Sequence, residues 1–259
     1  MIFSAFGLLL PLAGTTLGAA AVFLLRGPIR PRLRQLLSGF ASGVMIAAAV
    51  WSLLLPALEL AQAAGLPAWL PAAVGFLCGM AFLLLLDRTV PHRHPLARTS
   101  EGPAAGLGRT TKLMLAVTLH NIPEGMAVGV VLAAAASGEA GITAASALTL
   151  SLGIALQNIP EGAIISLPMR SAGCSRGRSF RCGLLSGLVE PLAGIGTMLL
   201  IGVLGPLLPW LLAFAAGAML YVVVEELIPE AQNGRHSDLA TMGLALGFTL
   251  MMVLDVAFG

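Results

Sequence analysis

Eight apolar runs, each long enough to cross a lipid bilayer as a helix, constrain the fold of this chain more than any other feature. A helix needs about 20 predominantly apolar residues to span the hydrocarbon core. The runs, numbered here as spans one to eight, cover residues 4–25, 36–60, 69–86, 111–136, 142–167, 182–204, 209–227 and 239–258. Because lipid offers no hydrogen bonds to an exposed backbone, such runs must form helices. The sequence therefore predicts an all-α polytopic membrane protein.

The composition agrees, because the chain has too few charges to coat a water-soluble fold. Of its 259 residues, 58% are hydrophobic and 10% are charged, whereas soluble domains carry about 25% charged residues. This excludes a soluble enzyme, and the high hydrophobicity excludes a disordered chain. Cys78, Cys174 and Cys182, an odd number without CxxC spacing, exclude a disulfide framework or a thiolate zinc site as the organising feature.

The connections between the spans predict a single transmembrane domain that covers residues 1–259. One connection is long, at about residues 87–110, and its three prolines (Pro91, Pro95 and Pro103) favour an unstructured loop. The first span lacks a basic leader and a small-residue cleavage pattern, so we interpret it as a retained helix.

All basic residues fall on one side of the predicted membrane. With the N-terminus outside, the odd-numbered connections face the cytoplasm, and they contain all 14 Lys and Arg residues. Cytoplasmic loops of membrane proteins carry an excess of Lys and Arg. The distribution therefore predicts that both termini lie outside and that the long loop is cytoplasmic, and it supports the count of eight spans.

Two nearly identical polar motifs lie within spans four and five. L-H-N-I-P-E-G occupies residues 119–125, and L-Q-N-I-P-E-G occupies residues 156–162. In each copy the first polar residue precedes the Glu by four positions and the Asn precedes it by three, so all three share one helical face. Pro123 and Pro160 each leave a helical carbonyl unpaired, which predicts kinks. Gly125 and Gly162 permit close helix approach.

The two motif faces together supply one His, one Gln, two Asn and two Glu at mid-membrane depth. Ionisable residues in a membrane are expensive and usually face a cavity, a partner or an ion. Mixed nitrogen and oxygen ligands without thiolates suit an exchangeable divalent first-row ion such as Zn²⁺. Glu190, which precedes Pro191 in span six, adds a third carboxylate. The mutual repulsion of three carboxylates predicts a cation or protons between them.

The twin P-E-G motifs, the eight spans and S-G-L-V-E-P-L at residues 186–192 resemble the ZIP family of divalent-metal transporters, and within it the bacterial GufA-like branch. The resemblance covers the whole chain. It implies a 3+2+3 arrangement, in which spans one to three and six to eight are inverted repeats around spans four and five. It also implies a bacterial inner membrane, frequent homodimers, divalent metal ions and lipid as partners, and no nucleic-acid partner.

The resemblance further implies a binuclear metal centre. One ion would be bound by His120, Glu124, Gln157 and Glu161. The second would be bound by Asn121, Glu124, Asn158, Glu161 and Glu190, so that the two shared glutamates bridge the ions. Many relatives have His where this chain has Gln157, which leaves the first site with a single imidazole.

Weaker candidates lie nearer the two ends of the path. Ser52 in span two resembles a pathway-lining Ser of the family, and we interpret Glu226 in span seven as an exit-side metal contact. For Glu59, at the outer end of span two, an entrance role and a solvated helix end are equal alternatives. We interpret the other polar residues as ordinary solvated or helix-end groups: Asp87, His92, His94, Glu139, His236 and Asp255.

These features favour a transporter that takes up divalent metal by alternating access, with Zn²⁺ as its substrate and Cd²⁺, Fe²⁺ or Mn²⁺ also admitted. A membrane metalloenzyme is one alternative. Such enzymes typically carry an H-E-x-x-H motif, which this chain lacks, so we expect no enzyme. An exporter or a metal sensor would use the same ligands, and both stay open.

Overall fold

The chain folds into eight membrane-length helical spans. The structure, a computed structural model, describes residues 2–25, 29–91, 109–139, 141–203, 205–234 and 238–258. Within these ranges there is no strand. Eight helices are long and apolar enough to cross a membrane: Phe3–Leu24, Pro31–Ala63, Trp69–Thr89, Val117–Ser137, Ala144–Ser171, Arg176–Ile201, Leu208–Gln232 and Leu239–Phe258. The prediction of an all-α polytopic membrane protein is confirmed.

Four spans are single helices and four are built from several segments. The single helices are Trp69–Thr89, Arg109–Ser137, Ala144–Ser171 and Leu239–Phe258. Span one joins Ile2–Ala19 to Ala21–Leu24, and span six joins Arg176–Gly187 to Val189–Val203. Span two consists of Pro31–Ala48, Ala49–Leu54 and Leu55–Ala63. Span seven consists of Gly205–Leu207, Leu208–Val222, Val223–Leu227 and Ile228–Gln232.

The helices extend beyond the apolar runs at the end of the spans where Arg and Lys lie, called here the basic end. Span three continues to Thr89 and stops at Val90, which precedes a proline and is extended. Span four begins at Arg109 and span six at Arg176. The predicted loop at 87–110 was therefore too wide at both ends, because an apolar count misses helical turns that lie outside the hydrocarbon. Residues 92–108, with His92 and His94, lie outside the described ranges.

Spans two and seven share a wide helical turn. Ala49–Leu54 and Val223–Leu227 are π-helical, and the α-helical segment after each has a proline at its second position, Pro56 or Pro229. A proline cannot donate to the preceding turn, which favours a local change of helical geometry. The repetition in spans two and seven agrees with the inverted repeats implied by the resemblance. Spans four and five stay α-helical across their motif prolines, so the kinks there stay predictions.

The spans pack as two groups of four. In the first group, span one packs mainly on span five and span four on span six. In the second group, span two packs mainly on span eight and span three on span seven. If span one is exchanged with span six, two with seven, three with eight and four with five, the same four pairs result. This symmetry is what an inverted repeat predicts. Both polar motifs belong to the first group, and spans four and five contact spans seven and two of the second.

Glycines permit the closest helix contacts around the motifs. A Cβ atom on Gly125 would collide with the backbone of Glu190 in span six. A Cβ atom on Gly162 would collide with the backbone carbonyl of Thr15 in span one. The close approach predicted for both glycines is confirmed, and it brings spans one and six against the two polar motifs.

We predict that Gly14→Ala lowers the melting temperature of the purified protein, because the added methyl group would collide with the Ala155 carbonyl of span five. Overpacking a close contact typically costs about 1–3 kcal/mol. Gly196→Ala in span six is the matched control, since a Cβ atom there meets no atom within 4 Å. Equal melting temperatures of the two variants in the same detergent would contradict the close packing.

Candidate metal pathway

The two polar motifs meet inside the first group of spans. Glu124 is fully buried, and its Oε1 accepts a hydrogen bond of 2.7 Å from Nε2 of Gln157. The side chain of Asn158 interacts with the carboxylates of both Glu124 and Glu190. These contacts connect spans four, five and six at one depth. All seven predicted central ligands are buried: His120, Asn121, Glu124, Gln157, Asn158, Glu161 and Glu190.

Span one contributes a residue that the sequence interpretation missed. Oγ1 of Thr15 donates to Oε1 of Glu190 at 2.8 Å, and both side chains are buried. The same hydroxyl lies 3.3 Å from the carbonyl of Pro11, which the Asn158 amide also reaches at 3.5 Å. Span one contains three hydroxyl residues, Ser4, Thr15 and Thr16, and nothing in the sequence singled out Thr15. Span one thus fixes one oxygen of Glu190 and the orientation of Asn158.

Asn121 connects spans four and six. Its Nδ2 donates to the backbone carbonyl of Ser186 at 3.0 Å. Because the amide nitrogen is used in this way, the amide oxygen is the atom left to face another group. Asn121 therefore presents an acceptor next to the motif carboxylates.

Five of the seven predicted ligands have a buried side-chain oxygen with no hydrogen-bond partner among the described residues. These atoms are Oδ1 of Asn121, Oε2 of Glu124, Oε1 of Gln157, Oδ1 of Asn158 and Oε2 of Glu190. A buried polar atom without a partner costs about 1–3 kcal/mol, and native proteins contain few of them. All five atoms are acceptors. Acceptors of this kind are satisfied by a bound cation, by protons or by hydrogen-bond donors.

His120 makes its contact elsewhere. Its Nε2 pairs with Oε1 of Glu226 in span seven, so the imidazole links the first group of spans to the second. In the part of the chain that the structure describes, no three His, Cys, Asp or Glu side chains lie close enough together to hold a metal. Carboxylates repel one another unless a cation lies between them. The predicted ligands share one region without converging on one point, so their assignment to two metal sites stays a prediction.

The buried carboxylates form a series toward the basic end. Glu124 lies within electrostatic range of Glu190 and Glu161. Glu161 lies in turn within range of Glu226 and of Glu230 in span seven. The series leads from the motifs to the end of span seven. Sequence interpretation included Glu226 but missed Glu230.

A second polar pair lies at the opposite end of the spans. Oγ of Ser52 donates to Oδ1 of Asp255 at 2.7 Å, and both residues border a cavity of about 90 Å³. Asp255 is 7% exposed, and its Oδ2 has no hydrogen-bond partner among the residues described. Its interpretation as an ordinary helix-end group was wrong, because span eight packs on span two and covers it. Glu59 is exposed and lies beside Gly141, which also lines the cavity.

The remaining polar residues divide between confirmed and corrected interpretations. Glu139 is exposed, as its interpretation as a solvated helix end requires. Asp87 is not simply solvated, because Oδ2 of its half-buried carboxylate accepts a hydrogen bond of 3.1 Å from the hydroxyl of Tyr221 in span seven. The three cysteines are unpaired. His236 lies outside the described ranges.

Comparison with known proteins gives one family. A family model described as ZIP zinc transporter matches residues 97–255. The human zinc transporter ZIP11 is 40% identical over an alignment 323 residues long. This alignment covers 95% of this chain and 94% of that protein. The zinc transporter GufA of Myxococcus xanthus is 43% identical over 213 residues, 81% of each chain. The zinc transporter ZIPB of Bordetella bronchiseptica is 37% identical over 250 residues, 95% of this chain and 78% of its own.

We predict that Thr15→Val destabilises the protein, because it removes the donor to a buried carboxylate oxygen of Glu190 at nearly constant volume. The loss of such a donor costs about 1–3 kcal/mol. Thr16→Val is the matched control, since the Thr16 hydroxyl donates to the Leu12 carbonyl of its own helix, at 2.7 Å. Thermal unfolding of both variants in one detergent checks this. A loss for Thr15→Val no larger than that for Thr16→Val would contradict the proposed importance of the Thr15–Glu190 bond.

Proposed function

Because the chain belongs to the ZIP family of zinc transporters, we propose that it carries Zn²⁺ across the membrane as its substrate, through the polar cluster of spans four, five and six. The relatives named above are called zinc transporters, and each of them matches most of this chain and most of its own length. Transport also fits the eight apolar spans, which leave the polar motifs as the one concentrated set of ionisable groups at mid-membrane depth.

The observation that carries the proposal is the set of five buried acceptor oxygens without partners. A cation is a substrate that such a set can bind, since every one of these atoms offers a lone pair. Carboxylate and amide oxygens with one imidazole are ligands that Zn²⁺ accepts. The same set admits Cd²⁺, Fe²⁺ and Mn²⁺, because oxygen ligands discriminate weakly among divalent ions.

We assign the ligands as the family resemblance implies. Glu124 and Glu161 bridge two ions, His120 and Gln157 complete the first site, and Asn121, Asn158 and Glu190 complete the second. Two present contacts must then change when an ion binds. His120 leaves Glu226, and Gln157 turns its amide oxygen instead of its nitrogen toward the ion.

We propose that the ion enters near Ser52 and Asp255 and leaves past Glu226. The basic end is then cytoplasmic, both termini lie outside in a bacterial inner membrane, and transport is uptake. An inside-negative membrane potential favours inward movement of a cation by about 2.3 kcal/mol per charge per 100 mV. Glu59 at the rim of the outer cavity supplies negative charge at the entrance.

We propose alternating access by movement of one group of spans against the other. The first group holds the motifs, and the second holds Ser52, Asp255 and Glu226 on either side of them. Movement of one group against the other would expose the central ligands first to the outer residues and then to Glu226. The His120–Glu226 pair connects the groups in the present arrangement.

We predict that Glu124→Gln reduces Zn²⁺ uptake into proteoliposomes at least about 10-fold, the effect typical of losing a metal-binding group. The substitution keeps the volume of the side chain and removes the charge that would bridge two ions. Glu139→Gln is the matched control, because Glu139 is exposed and lies two residues beyond the end of the same helix.

The proposal is supported if the wild-type protein and Glu139→Gln take up Zn²⁺ and Glu124→Gln has lost this uptake. Wild-type protein that carries no Zn²⁺ down an imposed gradient would contradict the function. Equal uptake by the two variants would contradict the role of Glu124 alone.

A further inference from the structure

An arginine lies at the basic end of the carboxylate series. Nε of Arg34 is 4.0 Å from Oε1 of Glu230. Arg34 belongs to the first turn of the helix Pro31–Ala48 in span two, and Glu230 belongs to Ile228–Gln232 in span seven. The side chain of Glu230 is 9% exposed and that of Arg34 is 27% exposed. The pair therefore connects two spans where the buried interior meets the basic end.

Glu230 is the last described carboxylate of the series toward the basic end. It follows Glu226 by four residues, and Glu161 lies within electrostatic range of both. Ser38, one turn beyond Arg34, is buried and lies near Glu230. An ion that moves from Glu161 past Glu226 therefore meets Glu230 next, with Arg34 already beside it.

A guanidinium suits this position because its charge is permanent. It balances the charge of the buried Glu230 carboxylate. It also repels an approaching metal ion, so the two cations compete for Glu230. The 4.0 Å separation and the partial exposure of Arg34 make the ion pair weak enough to open.

Space for the displaced side chain lies close by. A cavity of about 440 Å³ opens between spans two, seven and eight and is lined by Gln35, Ser42, Gln232 and Thr241, among others. Gln35, next to Arg34 in sequence, closes one side of this region by donating from Nε2 to the Asn233 carbonyl at 2.9 Å. Its wall mixes polar and apolar residues and includes Gln35, the neighbour of Arg34 in the chain.

We propose that Arg34 and Glu230 form an exit latch, in which the arginine occupies the last carboxylate of the path until a metal ion replaces it. The ion becomes the counter-charge of Glu230, and Arg34 moves out toward the basic end. After the ion has left, Arg34 returns and closes the exit. The latch rests on the proposed function for its role in transport, but its opening can be measured without transport.

The test measures the access of water to Ser38. Ser38→Cys is introduced into a protein in which Cys78, Cys174 and Cys182 are replaced by Ala, and labelling of the new thiol by a charged maleimide is timed in detergent. We expect Arg34→Gln to raise the labelling rate about five-fold, the size of a modest coupling between two sites. Arg32→Gln is the matched control, because Arg32 carries the same charge on the same helix and is exposed.

Two further variants separate charge from packing. Arg34→Lys keeps the charge and should label close to the rate of the unsubstituted reporter protein. The double exchange of Arg34→Glu with Glu230→Arg restores an ion pair and should label more slowly than either single change. Equal labelling rates of Arg34→Gln and Arg32→Gln would overturn the latch. A double exchange that labels as fast as the single variants would overturn it too.

The same proteins in proteoliposomes keep the latch and the transport function apart. If the Arg34 variants change labelling while the wild-type protein carries no Zn²⁺, then the latch stands as a structural device and the proposed function fails. If the wild-type protein carries Zn²⁺ and labelling does not depend on Arg34, then the function stands and the latch is overturned.

Discussion

The repulsion among carboxylates buried at mid-membrane depth is the constraint on which the rest of this structure depends. Glu124, Glu161 and Glu190 lie within electrostatic range of one another with almost no access to water. The surrounding residues reduce this cost in part, through the amide of Gln157 and the hydroxyl of Thr15. They leave acceptor oxygens without partners, and this remaining imbalance is what a divalent cation would remove. The polar cluster is therefore costly when the protein is alone and suited to an ion that binds and leaves.

The two groups of spans explain how such a cluster can be both buried and reachable. Glycines such as Gly125 and Gly162 allow the backbones of the first group to approach closely, so the motifs are held on a compact unit. Polar residues of the second group lie at both ends of that unit, with Ser52 and Asp255 at one end and Glu226 at the other. Among the described residues, the contact between His120 and Glu226 crosses between the groups. A small displacement between the groups would thus change which of these residues faces the motifs.

The sequence was sufficient for the spans and for the shared face of each motif, because both depend on local periodicity. Helix ends were predicted less well: basic turns such as that beginning at Arg176 continue a helix beyond its apolar run. The partners of polar side chains could not be predicted. Thr15 with Glu190 and Ser52 with Asp255 are 175 and 203 residues apart in the chain, and only packing brings them together. Asp255 lies near the end of the helix Leu239–Phe258, so the sequence predicted that it is solvated. Its burial depends on packing against span two, which the sequence does not show.

The central claim is that the motif oxygens, with at most one histidine, bind the transported zinc. X-ray absorption at the zinc K edge of the zinc-loaded protein tests this most directly, because it reports the atoms around the ion. We expect the zinc ion to have a shell of oxygen and nitrogen atoms at about 2.0–2.2 Å. Scattering should come from no more than one imidazole per ion and from no sulfur. A sulfur shell at about 2.3 Å would place the zinc on cysteines and contradict the account, as would a shell built from several imidazoles.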